Sequence, residues 1–406
     1  MNETESGYPI YRMNEIHNML CDLNVLKHAE ISQNELKKFK LNDRDVLFNR
    51  TNSYEWVGRT GLYRKVDKQD FVFASYLVRF VPQPDKLTPE YMTTFLNSEY
   101  GVWDIKRRSR QSINQTNVNP EEVKEIEIPL LSMDLQKLIT KGFEEAHELR
   151  LNSEMVYIEG EKILLKTLGL ADFQPNKEPV NVKNFIESFG ISGRFDAEYY
   201  QVKYEDYHSL IKAYSGGNIR FADACNLKDI NFNPKDKTEY KYIELANIGK
   251  AGEITDCTRE IGEELPTRAR RKVATNDVVI SSIEGSLDSC ALVTPEYDNA
   301  LCSTGFYVIN SKILNPETLL VLFKSEPVQA LLKKGCSGTI LTAISKMELS
   351  KIPIPLIPKE TQESIKGKIN ESFALRKQSE HLLDVAKRAV EIAIEQSEEI
   401  AIDYIN

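Results

Sequence analysis

The sequence has few of the residues from which metal sites and disulfide frameworks are built. Its six cysteines are scattered without a Cys-x-x-Cys pair, and its five histidines lie far apart. Zinc sites need cysteines or histidines at short, regular spacings, so no metal centre is predicted. The cysteines are expected to be reduced and to serve as small apolar residues.

Long apolar runs and known catalytic motifs are also absent. No stretch reaches the roughly 18 residues that a membrane helix requires, and the polar start does not resemble a signal peptide, which predicts a cytoplasmic location. There is no phosphate-binding loop, no dinucleotide-binding glycine motif, no Asn-Pro-Pro-aromatic methyltransferase motif and no nucleophile elbow. The chain is therefore predicted to be non-catalytic, with a nuclease of unrecognised carboxylate site as the alternative.

The composition is that of a folded, moderately acidic protein. The chain has 406 residues, of which 41% are hydrophobic and 28% charged, and its formal net charge is −9. This length can form the cores of two or three domains. Much of the negative charge lies in residues 379–406, so a basic surface elsewhere remains compatible with the composition.

The chain is predicted to be a tandem repeat of one large unit. The stretch IEIPLLSMDLQKLI from Ile126 matches IPIPLIPKETQESI from Ile352, and LTPEYMTTFLNSE from Leu87 matches LNPETLLVLFKSE from Leu314. Short runs of alternating β-branched residues precede each match, and an amphipathic pattern of about 30 residues follows it. The predicted fold class is α+β, with two pseudo-repeated α/β domains and two long antiparallel coiled-coil helices.

This repeat sets the predicted domain boundaries. The stretch near residues 203–232 has no counterpart in the first unit, so the first domain is expected to be N-terminally short, or to be completed by another chain. The predicted segments are a first domain (1–132), a first spacer helix (133–170), a linker (171–200), a second domain (201–357), and a second spacer helix with an acidic tail (358–406).

The two long helices are expected to pack antiparallel on one another. Apolar residues recur every three or four positions in most of their turns, which gives each helix one apolar face. A helix of about 30 residues spans roughly 45 Å, a little more than one turn of B-DNA, so the pair could hold two domains at a fixed spacing. The predicted interface consists of Leu135, Ile139, Phe143, Leu149, Val156, Ile365, Ile369, Leu382 and Val390.

Two polar stretches of the first domain are candidates for contact with DNA. KRRSRQSINQTN from Lys106 combines cations that neutralise phosphates with amides that suit adenine edges, and NRTNS from Asn49 follows a predicted strand. A polar loop and a simple turn are the alternatives. The candidate residues are Arg50, Asn52, Arg107, Arg108, Arg110, Gln111, Asn114 and Gln115.

The second domain has basic residues at two further places. RARRK from Arg268 precedes a predicted strand, with a solvated charged surface as the alternative, and KKGCSGTILTAI from Lys333 is the repeat partner of the first-domain loop. This partner keeps two lysines but loses the amides, so the two domains would read different DNA sequences. The candidates are Arg268, Arg270, Arg271, Lys333, Lys334 and Thr339.

These repeats resemble those of the specificity (S) subunit of type I restriction-modification systems. The resemblance covers nearly the whole chain and rests on DVLFNRTNSYEWVGRTG from Asp45, RQSINQTNVNPEEVKEIEIPLLSMDLQKLI from Arg110, SGRFDAEYYQVKY from Ser192 and KMELSKIPIPLIPKETQESI from Lys346. In that family each globular domain is a target-recognition domain, and the helices form a spacer that docks methyltransferase subunits.

The resemblance implies a non-catalytic subunit for phage defence and DNA methylation. It would bind a bipartite double-stranded DNA target, two adenine methyltransferase subunits and the restriction (translocase) subunits. No cofactor would be bound by this chain, since AdoMet would belong to the methyltransferase partner and ATP with Mg²⁺ to the restriction partner. The alternative is a coiled-coil adaptor that binds proteins without DNA specificity.

Overall fold

The computed structural model describes residues 3–4, 6–113, 115–176, 178 and 180–406. The chain divides into two compact units. Unit 1 comprises residues 1–152 and 374–406, and unit 2 comprises residues 153–373. Unit 1 is therefore discontinuous in sequence, whereas unit 2 is one continuous segment.

The described α-helices include two that are much longer than the rest. In chain order they are α1 (Gln33–Phe39), α2 (Pro89–Asn97), α3 (Glu99–Arg108), α4 (Pro120–Val123), α5 (Met133–Thr167), α6 (Val202–Ala213), α7 (Phe221–Ala224), α8 (Pro316–Lys324), α9 (Glu326–Lys334), α10 (Lys346–Lys351), α11 (Lys359–Glu395) and α12 (Glu398–Ile405). Both long helices, α5 and α11, contribute residues to each unit.

The described strands of unit 1 are short and form three sheets, ordered β1-β5-β2-β9, β10-β6-β8-β4-β3 and β11-β12-β7. In chain order they are β1 (Glu3–Thr4), β2 (Tyr8–Tyr11), β3 (Ile16–His17), β4 (Leu20–Cys21), β5 (His28–Ala29), β6 (Val46–Asn49), β7 (Thr51–Asn52), β8 (Thr60–Leu62), β9 (Val72–Phe73), β10 (Leu77–Phe80), β11 (Arg110–Gln111) and β12 (Thr116–Asn117).

The described strands of unit 2 form sheets ordered β14-β21-β18-β19 and β16-β15-β20-β17, with the pairs β13-β24 and β22-β23. In chain order they are β13 (Asn218–Arg220), β14 (Cys225–Lys228), β15 (Glu239–Ile243), β16 (Thr258–Ile261), β17 (Ala269–Lys272), β18 (Val278–Ser281), β19 (Cys290–Leu292), β20 (Leu301–Ser303), β21 (Phe306–Ser311), β22 (Cys336–Ser337), β23 (Ala343–Ile344) and β24 (Pro353–Pro355).

The two units repeat one arrangement of strands and helices. In unit 1, β6 lies between β10 and β8 and is antiparallel to both, and in unit 2, β18 lies in the same way between β21 and β19. The parallel pair β2 and β9 corresponds to the parallel pair β15 and β20. The fold therefore mixes helices and strands, which confirms the α+β class.

The matching helices α2 and α8 begin with the same local chemistry. Thr88 caps α2 by accepting from the Tyr91 N–H, and Asn315 caps α8 by accepting from the Thr318 N–H. In each case a proline follows at the first helical position, where its fixed φ suits the helix and its missing N–H costs nothing.

A buried glutamine near the start of each long helix anchors that helix to its own unit. The Gln136 side-chain oxygen accepts from the Thr88 N–H at 2.8 Å, and the Gln362 oxygen accepts from the Asn315 N–H at 2.8 Å. The two glutamines therefore occupy equivalent positions in the repeat. Each accepts from the backbone N–H of the residue that caps the equivalent helix, α2 or α8.

Within unit 2 the ends of α5 and α11 run antiparallel. The hydroxyls of Ser153 and Ser372 lie 3.1 Å apart, Ser372 also donates to the Ser153 carbonyl at 2.8 Å, and Lys368 pairs with Glu159 at 2.7 Å. Rising residue numbers on one helix thus meet falling numbers on the other. Within unit 1 the Ser379 hydroxyl donates to a carbonyl of α5 at 2.7 Å.

Burial differs among the residues predicted to line the helix interface. Val156 and Leu382 are half-buried, and the fully buried positions beside them are Tyr157 and Leu383. The sequence pattern follows apolar side chains, whereas the buried faces also include serines that bond to the opposite backbone. The fully buried predicted residues are Leu135, Ile139, Phe143, Ile365, Ile369 and Val390, and Leu149 is half-buried.

The acidic end of the chain is a separate helix that packs in unit 1. Ser397 accepts from the Ile400 N–H and so caps α12. The Glu398 carboxylate accepts from the Ser132 N–H at 3.0 and 3.1 Å, next to the start of α5, where negative charge suits the helix dipole. Ala401 is fully buried in the core of unit 1.

Unit 2 contains the segment for which the sequence showed no counterpart in unit 1. Residues 202–228 form α6, β13, α7 and β14, and β13 pairs with β24 through Ile219 and Ile354. This segment covers the edge of the isoleucine-proline stretch that precedes α11.

In the part of the chain that the structure describes, no helix combines the length and apolar character needed to cross a membrane. Among the same described residues, no group of three or more His, Cys, Asp or Glu side chains is placed to hold a metal ion.

Candidate nucleic-acid interface

The structure brings the two polar stretches of unit 1 together in one small sheet, here called the polar sheet (β7, β11 and β12). β12 pairs with both other strands, so that Asn117 lies opposite Arg110 and Thr51, and Thr116 lies opposite Asn52. The Thr51 hydroxyl donates to the Asn117 side-chain oxygen at 2.6 Å. Because directly opposed residues project from the same face of a sheet, polar side chains distant in sequence become neighbours.

Arg50 connects three segments at the edge of the polar sheet. Its N–H donates to the Tyr76 carbonyl at 3.1 Å, and its carbonyl accepts from the Val118 N–H at 2.9 Å. Its guanidinium Nε donates to the Ser75 carbonyl at 3.2 Å. The side chain is thus directed to the neighbouring loop, and its contact with a DNA groove stays a prediction.

Unit 2 holds its matching hairpin, β22 and β23, by equivalent backbone bonds. The Ser282 N–H donates to the Gly305 carbonyl at 2.9 Å, and the Ser282 carbonyl accepts from the Ile344 N–H at 2.9 Å. Ile283, the residue after Ser282, forms an antiparallel bridge to Ala343. In the same way Thr51, the residue after Arg50, pairs with Asn117 in unit 1. The two hairpins are therefore mounted on their units in the same way.

The arginines of the unit 1 hairpin region are balanced by carboxylates. Arg107 and Arg108 both donate to Asp104, at 2.9 and 3.1 Å, and Arg110 pairs with Glu122 at 2.7 Å. Burial tends to raise the pKa of Asp104, but the two guanidiniums lower it on balance. A DNA phosphate would have to compete with these carboxylates, most easily at Arg110, whose side chain is 77% exposed.

The amides predicted to read bases lie at the surface of the hairpin. Gln111 and Gln115 are both exposed, and the Gln115 carbonyl accepts from the Ser112 N–H and hydroxyl at 2.8 Å each. Asn52 is half-buried at the other edge of the polar sheet. Asn114 lies outside the described residues.

The basic run of unit 2 contains one exposed arginine and two that are bound to the protein. Arg268 is exposed, and its carbonyl accepts from the Thr304 N–H at 2.8 Å. Arg271 pairs with Asp229 at 2.6 Å and is mostly buried, while Arg270 donates to the Thr267 carbonyl at 3.0 Å. Arg268 is therefore the member of this run best placed to meet a phosphate.

The lysines before the unit 2 hairpin lie against acidic and aromatic neighbours. Lys333 Nζ is 3.7 Å from a Glu198 carboxylate oxygen, and Lys334 Nζ lies 4.9 Å from the centre of the Tyr199 ring. Burial lowers the pKa of Lys334. Thr339 is exposed within the hairpin loop.

Sequence reasoning missed exposed aromatic and apolar residues near these hairpins. Tyr76 is exposed beside Arg50, and the exposed Tyr54 ring lies 4.9 Å from Lys106 Nζ. Such rings can stack on unpaired bases. The sequence contains a signal for the apolar residues, because Ile113 and Ile340 lie inside polar loops at the same place in both repeats.

Comparisons with known proteins agree on one class. Residues 2–155 match the model of the type I restriction modification DNA specificity domain. The chain is 23% identical over 403 residues to a putative type I restriction enzyme specificity subunit, MjaX, of Methanocaldococcus jannaschii, covering 96% of this chain and 86% of that protein.

Two further similarities are to a second curated protein and to a solved structure. The EcoKI type I restriction enzyme specificity subunit of Escherichia coli (strain K12) is 30% identical over 145 residues, or 36% of this chain and 31% of that protein. The crystal structure of the HsdS subunit from Thermoanaerobacter tengcongensis is 14% identical with a TM-score of 0.30, covering 96% of this chain and 90% of that one.

The first part of the chain, residues 2–155, is thus similar to a DNA specificity domain. Over 96% of its sequence the chain is similar to a type I restriction enzyme specificity subunit. The resemblance predicted from the repeats is confirmed.

Proposed function

We propose that this chain is the DNA sequence-recognition subunit of a type I restriction-modification complex. The observation that carries this proposal is the match of residues 2–155 to a DNA specificity domain, the same region in which the polar sheet gathers Arg110, Gln111 and Asn52. A coiled-coil adaptor without DNA specificity is not favoured, because it would not account for that domain.

In this proposal the target is bipartite, because each unit carries an equivalent hairpin. Residues 1–132 and 201–357 act as target-recognition domains, with residues 171–200 as the linker between them. Residues 133–170 and 358–406 form the antiparallel coiled-coil spacer. The serine contacts between α5 and α11 within each unit support this pairing.

The partners follow from membership of the complex. The relatives are named as subunits of restriction enzymes, so we infer that this chain assembles with two adenine methyltransferase subunits and with restriction subunits. The chain itself would be non-catalytic and cytoplasmic, with AdoMet and ATP/Mg²⁺ bound by the partners. Labelled methyl transfer by the purified chain alone would contradict this assignment.

Methylome mapping tests the recognition proposal. Cells with and without the gene are compared, and the difference is expected to be a bipartite sequence methylated at adenine. In cells carrying Gln115→Ala, one half of that sequence should be relaxed and the other kept, because a base contact contributes about 1 to 3 kcal/mol at its own position. Gln378→Ala, at an exposed position of α11, is the matched control and should change neither half.

A further inference from the structure

Each unit presents one completely exposed isoleucine at the tip of its hairpin. Ile113 lies between β11 and β12, and Ile340 lies between β22 and β23. The two are separated by the same number of residues as the helix caps Thr88 and Asn315, so they occupy equivalent repeat positions. One exposed apolar residue would carry little information. Two at equivalent tips indicate a shared use.

In each hairpin the loop residues that flank the isoleucine approach one another closely. In unit 1 the Ser112 N–H and hydroxyl both donate to the Gln115 carbonyl at 2.8 Å. In unit 2 Gly338 has a φ of 137°, and a Cβ on it would lie 2.5 Å from the Leu341 carbonyl oxygen. The loop residues on either side of each isoleucine therefore lie close together.

The surroundings of both tips suit a duplex better than an apolar protein surface. The side chain of Arg110 is exposed at the base of one hairpin, and that of Lys333 precedes the other. The loop neighbours Gln115 and Thr339 are exposed polar residues that can bond to base edges. An apolar tip beside exposed polar residues matches the base stack of DNA, and Arg110 and Lys333 would bind phosphates in place of their present partners, Glu122 and Glu198.

We propose that Ile113 and Ile340 each insert between adjacent base pairs of one half-site, as an apolar wedge that unstacks a single base step. This inference rests on the proposed function, and it adds a deformation of the target to the reading of base edges. Apolar wedges of this kind kink the duplex, at a cost that is smallest at flexible pyrimidine–purine steps. Each half-site is therefore expected to contain such a step beneath its hairpin.

The test uses the full-length chain and duplexes that carry the bipartite sequence found in the methylome. A 2-aminopurine base, whose fluorescence rises when it is unstacked, is placed in turn at each position of both half-sites. The wild-type chain is expected to raise fluorescence at one step in each half-site. Ile113→Ala should abolish the rise in one half-site and weaken binding about tenfold, and Ile340→Ala should abolish the rise in the other.

Two control variants test whether the effect is specific to the hairpin and to the apolar shape of its tip. Leu26→Ala removes an equally apolar, exposed side chain of unit 1 outside the hairpin and should keep both rises. Ile113→Leu should keep both, because it preserves the wedge. Since the tips are exposed, none of these changes should alter thermal unfolding.

The outcomes separate the wedge from the proposed function. If the wild-type chain binds the duplex specifically but no position becomes brighter, or if the alanine variants keep both rises, the wedge is wrong while DNA recognition stands. If the methylome contains no bipartite sequence that depends on this gene, the proposed function fails, and the wedge fails with it.

Discussion

Gln136 shows how much a single buried amide can contribute in this protein. Its oxygen accepts from the Thr88 N–H, and its nitrogen donates to the Leu131 carbonyl at 2.9 Å. Gln136→Ala would leave both backbone groups unpaired in the core, at about 1 to 3 kcal/mol for each. We expect the free energy of unfolding in urea to fall by about 3 kcal/mol. Gln378→Ala, at an exposed position, should change it by less than about 0.5 kcal/mol, and an equal loss in both variants would contradict the anchoring role.

A second residue links stability to pH. The pKa of His147 is lowered to about 4, first because burial disfavours the charged imidazolium and then because Arg64 and Arg150 repel it. In the unfolded chain the pKa is about 6.5, so between these values the unfolded state takes up a proton that the folded state does not. The contribution of His147 to the free energy of unfolding is therefore fully present above pH 7, and it is lost as the pH falls toward 4.

The predicted size follows from the two pKa values. From pH 7.5 to pH 5 the free energy of unfolding should fall by about 2 kcal/mol through His147 alone. Urea titrations of His147→Gln at both pH values should show that much less pH dependence than the wild type. His381→Gln, on the exposed face of α11, should retain the full dependence. If the free energy of unfolding depends on pH equally in the two variants, His147 does not determine that dependence.

At the scale of elements, the close packing of α5 and α11 depends on small residues. Ser372 is fully buried and bonds to Ser153 within unit 2. Ser372→Leu would place a larger side chain where the helices meet, and overpacking of this kind costs about 1 to 3 kcal/mol. Urea unfolding should show this loss, a smaller one for Ser372→Ala, and almost none for Asn370→Leu at an exposed position. Full stability of Ser372→Leu would show that the helices do not approach closely there.

The long helices were predictable from sequence because their apolar period continues over many turns. α5 begins at Met133, and the apolar pattern contains no signal for the break between α11 and α12. That break depends on the cap formed by Ser397 and on the bond from Ser132 to Glu398, which joins distant parts of the chain. Local pattern carries no information on such contacts.

The candidate site was predictable only in its parts. The stretches around Arg50 and Arg110 are conspicuous because polar and basic residues cluster there, but strands of two residues give no periodic signal. The strands pair in the polar sheet, and Arg271 forms an ion pair with Asp229, only because the tertiary structure brings distant residues together. Composition identifies which residues could bind DNA, and the fold decides which of them are accessible.

At the scale of the whole molecule, the proposed spacer should set the distance between half-sites. Deleting residues 149–155 together with 370–376 removes two turns from facing parts of α5 and α11, about 10 Å of helix. The methylome spacer should then shorten by about three base pairs, or modification should cease. Deleting 149–155 alone should abolish modification, because the helices would no longer match. An unchanged spacer in the double deletion would show that the helices do not determine the distance.

The discontinuity of unit 1 has a consequence for synthesis on the ribosome. Unit 2 is a single segment and can close as soon as residue 373 has emerged, whereas unit 1 needs residues 374–406 before its core is complete. Unit 2 can therefore complete its core during synthesis before unit 1 does. Loss of residues 374–406 would leave unit 2 intact and the core of unit 1 open.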